Sequence, residues 1–136
     1  MKRVTDSLFW IVLVLLGLYV LYSKGYIMAS FESVDPKVAY EMIESDDNVT
    51  LLDVRTPDEF KHDGHIADAK LIPLGQLAQN LNMLDKSKKV LVYCRSGSRS
   101  VVASRMLDSK GFSVVNMSGG ITAWKSEKLP VSMESR

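Results

Sequence analysis

The chain has 136 residues, 46% of them hydrophobic, with Lys+Arg 17 against Asp+Glu 16. That length suits one domain with an appendage, and the near-zero charge balance excludes the basic excess on which nucleic-acid binding depends. A single cysteine excludes an intramolecular disulfide and a cysteine-rich zinc site; two histidines, His62 and His65, do not make good the shortfall, so no metal or other cofactor is expected.

Ser7 to Ser23 carries no charged residue and runs through Leu8-Phe9-Trp10-Ile11-Val12-Leu13-Val14-Leu15-Leu16 to Tyr22. As a helix it spans about 26 Å, a little under a ~30 Å hydrocarbon core, with Lys24 placed to snorkel and Trp10, Tyr19, Tyr22 and Tyr26 suited to the interfaces. A cleaved signal peptide is the rival. The apolar run exceeds the usual ~7–15 residues, and Ile27-Met28-Ala29 is a poor cleavage site. A buried helix of the soluble domain is a third reading, opposed by apolar residues on every side. Residues 1–29 are therefore read as an uncleaved membrane anchor (helix about 7–23) with a linker, and 30–136 as the domain. Lys2 and Arg3 outweigh Asp6, which by the positive-inside tendency keeps the amino terminus in the cytoplasm and sends the domain across a cell or inner membrane, into the periplasm of a bacterium.

In the domain, Phe31-Glu32-Ser33-Val34 suits a short edge strand. Asp35 and Pro36 open a helix whose inner face holds Val38, Ala39, Met42 and Ile43. Val49 to Val54 is a buried strand. Thr56-Pro57-Asp58-Glu59 is a capping box starting a short helix that ends before Gly64. Leu71-Ile72 is a brief strand stopped by Pro73. Leu74, Leu77, Leu81 and Leu84 predict one face of the next helix. Val90 to Tyr93 is a second buried strand. Arg99 to Lys110 predicts a helix with Val102, Ala103, Met106 and Leu107 inward and Gly111 as its cap. Phe112 to Met117 is a strand, and Gly119-Gly120 turns into a last helix around Trp124. Residues after Pro130 read as a loose tail. Strands alternating with helices imply an α/β fold, a parallel sheet flanked by helices on both faces.

The chemistry concentrates at Cys94, where a strand ends and a helix begins. Arg95-Ser96-Gly97-Ser98-Arg99-Ser100 follows it. Such a loop curls main-chain N–H groups toward one point, with two arginines and the helix's positive end behind it. A roughly tetrahedral anion fits that cradle, and the same surroundings favour a thiolate, the nucleophilic form. A lone cysteine is by default a small buried hydrophobe; strand, cysteine, Gly-containing loop, arginines and helix in register argue against that default here.

These residues resemble the rhodanese-like sulfurtransferases. Leu52-Asp53-Val54-Arg55, Glu59-Phe60, Gly64-His65-Ile66, Ala69 and Ile72-Pro73 look like the family's first signature. Cys94 to Arg99 matches its six-residue active loop, and Gly119-Gly120-Ile121-Thr122-Ala123-Trp124 its closing motif. Asp68 departs from the family's usual Gly and puts the local turn geometry in question. The resemblance implies a rhodanese-like fold and a mechanism in which Cys94 takes a sulfur from thiosulfate or a similar anionic donor, holds it as a persulfide, and yields it to a thiol or protein acceptor. Cys94 is then catalytic, and Arg95, Ser96, Gly97, Ser98 and Arg99 bind substrate. Asp53 and Arg55 brace loops, and His65 is structural. Alternatives are a non-enzymatic persulfide carrier, a membrane-bound interaction module, or a cysteine phosphatase. The last requires five residues between Cys and Arg where this chain has four.

Overall fold

A computed structural model of the chain describes residues 2–23 and 31–134. Lys24, Tyr26 and Ile27-Met28-Ala29 lie outside the described residues. Helix α1 (Lys2–Ser23) begins five residues before the uncharged run, so it is about 33 Å long at ~1.5 Å per residue rather than 26 Å. It is long and apolar enough to cross a membrane, and its apolar window is not buried in the domain.

The rest is an α/β domain. In chain order it comprises β1 (Glu32–Val34), α2 (Pro36–Ser45), β2 (Val49–Asp53), α3 (Pro57–His62), β3 (Lys70–Leu71), α4 (Leu74–Leu77), a single 3-10 turn (Leu81–Met83), β4 (Lys89–Tyr93), α5 (Ser98–Ser109), β5 (Val114–Met117) and α6 (Gly120–Ser126). The five strands are all parallel in the order β1-β5-β4-β2-β3. Successive strand residues face opposite sides. Leu51, Leu91, Tyr93, Val115 and Met117 pack with Ala39, Ile121 and Trp124 on one face. Leu52, Val90, Val92 and Val114 pack with Leu77, Ala103 and Leu107 on the other. Both faces being covered, the strands read as unbroken apolar runs.

Three expectations are corrected. The leucine stretch is not one helix but α4 and the 3-10 turn. Asn80 donates through Nδ2 to the Gln76 carbonyl at 2.8 Å, a side chain competing for a helical acceptor, and its own backbone leaves the helical region. All four leucines still meet the same core. In α5 the inward residues are Ser100, Val101, Ala103, Ser104 and Leu107, whereas Val102 is 47% exposed. The buried face admits two serines, so the apolar pattern alone misplaced it. The tail is also fastened. Ser132 and His65 form an antiparallel bridge with main-chain bonds of 2.7 and 2.9 Å, and Trp124 Nε1 donates to the Pro130 carbonyl at 2.9 Å.

Candidate active site

In this strand order the chain leaves β2 toward β3 and leaves β4 toward β5, in opposite directions. The carboxyl ends of β2 and β4 therefore flank the crevice where open parallel sheets bind ligands. Cys94 follows β4 there, and Arg55 follows β2. Cys94 is 1% exposed. Its Sγ accepts the Gly97 N–H at 3.1 Å and lies 3.5 Å from Ser100 Oγ, whose hydroxyl donates to the Gly97 carbonyl at 3.2 Å. Gly97 has φ +108, a backbone conformation that closes the loop tightly over the sulfur and that side chains disfavour.

The loop is braced from outside by α6. Ile121 N–H donates to the Cys94 carbonyl at 2.8 Å and Thr122 N–H to the Arg95 carbonyl at 3.0 Å. This approach leaves no room at Gly120, where a methyl would collide with the Cys94 and Arg95 carbonyls. The Gly119-Gly120 pair thus lets a helix start sit directly against the cysteine loop.

The charged groups divide into engaged and free. Arg99 forms a fork with Glu59, Nη1 to Oε1 at 2.6 Å and Nη2 to Oε2 at 2.7 Å. Glu59 also closes the capping box, its Oε1 accepting from the Thr56 main chain at 3.3 Å and hydroxyl at 3.2 Å. Arg99's hydrogen bonds hold the Glu59 carboxyl well below the usual range, at about 2, with the Thr56 amide adding to the effect against the cost of burial. Arg99 is raised in turn, chiefly by Glu59. Beneath them Asp53 and Arg55 form a fully buried pair, with Arg55 Nη2 donating to Asp53 at 2.7 Å and to the Gly64 carbonyl at 2.8 Å. Burial opposes the Arg55 cation, but the Asp53 bonds and charge outweigh it and raise its pKa. Burial, reinforced by the Asp53 charge, pushes the Tyr93 phenol up; its oxygen accepts the Ile66 N–H at 3.2 Å.

Of the residues expected at the site, Cys94, Gly97 and Arg99 are gathered at the crevice, while Arg95, Ser96 and Ser98 are exposed at the rim of the loop. His65 is buried and stacked on Phe60, ring centroids 3.7 Å apart, with Nδ1 donating to the Phe60 carbonyl at 3.1 Å. The sequence reading missed two partners. Glu59 carried a capping-box signal that concealed its reach to Arg99. Ser100 was read as the end of the loop, but no contact with the sulfur was expected of it.

The chain matches the family model for the Rhodanese-like domain over residues 35–127 and belongs to that family. The putative sulfurtransferase YtwF of Bacillus subtilis is 40% identical over 90 residues, 66% of this chain and 86% of that protein. A rhodanese-related protein from Thermoplasma volcanium has the same fold, with TM-score 0.71 and 36% identity over 76% of this chain and all of that one. The polysulfide-sulfur transferase of Wolinella succinogenes, solved as a homodimer, superposes with TM-score 0.71 at 30% identity, covering 85% and 88% of the two chains. These relatives support sulfur transfer as the general chemistry.

Proposed function

We propose that the protein is a sulfurtransferase working through a persulfide on Cys94, loaded from thiosulfate or a similar sulfane donor. The observation that carries this reading is the position of Cys94 Sγ, at the sheet's switch point and against the Gly97 amide. Ionised sulfur attacks the outer sulfur of the donor. The donor's S–S bond breaks, sulfite departs with the electron pair, and the Cys94 S–S bond forms. The Gly97 N–H, and Ser100 after rotation of its hydroxyl, would hold the negative charge as it moves along the sulfurs. Ser96, Ser98 and the two arginines line the donor's approach. A polysulfide, the donor named for the Wolinella neighbour, would serve the same attack. The four-residue spacing between Cys94 and Arg99 opposes a phosphatase reading.

The test weighs the intact full-length chain in detergent after exposure to thiosulfate. One added sulfur is expected, removed by cyanide as thiocyanate and absent in Cys94→Ser. No added sulfur would refute the reading.

We read α1 as an uncleaved single-pass anchor, with residues 1–29 tethering a domain that faces the periplasm. Its exposed apolar side chains and length support this. Protease added to spheroplasts should digest the domain; protection would reverse the orientation, and recovery of a shortened chain from cells would favour a signal peptide.

A further inference from the structure

The carboxyl end of α1 meets the domain at an unsatisfied cation. Tyr22, in the last turn of α1, lies over Arg105 of α5, with the guanidinium carbon 4.0 Å from the ring centroid. The face of a tyrosine ring attracts such a cation but gives its in-plane N–H groups no oxygen to donate to. Arg105 Nε and Nη2 are shut off from solvent, and neither has a hydrogen-bond partner among the described residues. Asp108, one turn further along α5, accepts from neither. The same two nitrogens of Arg55 grip the Asp53 carboxylate, Nε at 3.0 Å and Nη2 at 2.7 Å. Arg105 therefore carries, beside α1, the two-pronged edge with which this molecule holds an oxyanion elsewhere. A guanidinium withdrawn from water without such an acceptor is costly, which points to a ligand that supplies one.

We propose that Arg105, stacked beneath Tyr22, binds the phosphate of a membrane phospholipid and so holds the domain against the bilayer surface, an inference that rests on the reading of α1 as an uncleaved anchor. In that reading the last turn of the 22-residue helix lies at the level of the head groups, where tyrosine is favoured. The lipid phosphates lie at the same level, and a phosphodiester offers two oxygens that match the fork. Soluble phosphate offers the same oxygens, but the covering ring belongs to the anchor itself, so a lipid is the anion already beside it. Arg105 is half-buried as a residue and Tyr22 is 41% exposed, so rotation of either side chain presents the two N–H groups without disturbing the core. Val102, one turn earlier on the same side of α5 and 47% exposed, suits the lipid boundary. Arg105 stands seven residues past the start of α5, about 10 Å at ~1.5 Å per residue, so the clamp keeps the Cys94 loop near the membrane.

The test uses the full-length chain in a maltoside detergent, which carries no phosphate, and reads retained lipid by native mass spectrometry. Dioleoylphosphatidylglycerol is compared with a digalactosyl lipid of the same acyl chains and with inorganic phosphate. The phospholipid should be retained about 10-fold more tightly than the galactolipid, as charge-assisted hydrogen bonds allow. Arg105→Gln should abolish that preference, and Arg105→Lys should keep only part of it because an ammonium lacks the fork. Tyr22→Leu should weaken it by about 2–5-fold. Lys110→Gln, which removes an exposed charge at the end of α5, should leave it unaltered. Equal retention of the two lipids, a preference surviving Arg105→Gln, or an equal loss in Lys110→Gln would overturn the clamp alone. Inorganic phosphate retained as tightly as the phospholipid would overturn the lipid assignment. Release of the chain from cell membranes by alkaline carbonate would overturn the anchor reading and this inference with it. Unchanged far-ultraviolet dichroism of the variants excludes misfolding as the cause.

Discussion

Glu59 and Arg99, 40 residues apart in the chain, are joined by a two-pronged ion pair that ties the first turn of α3 to the first turn of α5. The Glu59 carboxyl is depressed to about 2 in the folded protein, below the roughly 4.3 of an unfolded chain. The unfolded state therefore binds more protons between those values. The pair's stabilisation is present above pH ~5 and is lost as pH falls toward 2. With side-chain exposures of 18% for Glu59 and 34% for Arg99, solvent screens it. Glu59→Gln should cost about 1–2 kcal/mol at pH 7 and flatten the fall in stability between pH 5 and pH 2. Urea unfolding at pH 7 and pH 3 measures both effects.

Ser100 Oγ links the sulfur to the Gly97 carbonyl. Ser100→Ala should slow persulfide formation by about 3–10-fold, the loss of one modest hydrogen bond to the moving charge. Rapid-quench mass measurement reads the rate. A rate equal to the parent's would remove Ser100 from the chemistry.

Gly120 is the tightest fit in the loop's support. Gly120→Ala places a methyl against the Cys94 and Arg95 carbonyls in a backbone conformation of φ +61. A loss of about 3 kcal/mol or more is expected, with sulfur loading impaired because the loop has to shift. Denaturation midpoints compared with those of Ala123→Gly, in the same helix, separate this steric effect from general helix weakening.

Asp68 adopts φ +66 without being a glycine. It lies in an exposed turn, where Asp→Gly relieves the left-handed backbone strain. Asp68→Gly should stabilise the fold by about 0.5–1 kcal/mol and leave sulfur loading unaltered. A lower melting temperature would contradict this account.

The central strands were legible because burial on both faces forces continuous apolar runs, as in Val90 to Tyr93. The cysteine loop was legible because its cysteine, glycine and arginines stand next to one another in the chain. What escaped the sequence depended on distant partners. Glu59 already had a complete local role as the third residue of a helix cap, so nothing in its neighbourhood announced Arg99. Val102 was placed inward because only apolar residues were counted toward the buried face, yet α5 buries Ser100 and Ser104 there and leaves Val102 exposed. The leucines from 74 to 84 kept helical spacing across a break, since a short helix and a 3-10 turn can present the same face. Arg105 carried no motif; only the packing of the end of α1 on α5 brings it under Tyr22.

The placement of β1 has a consequence for biosynthesis. Ser33, ten residues past the end of α1, aligns with Asn116 on β5 and accepts a bond from its side-chain amide across 83 residues. At ribosomal speeds of about 5–20 residues per second, that edge strand waits on the order of 4–17 s for its partner to be made. The sheet therefore closes late, after the amino-terminal helix has long emerged. Until then the newborn domain has to be kept from aggregating, with its first strand unmatched and its central apolar strands uncovered.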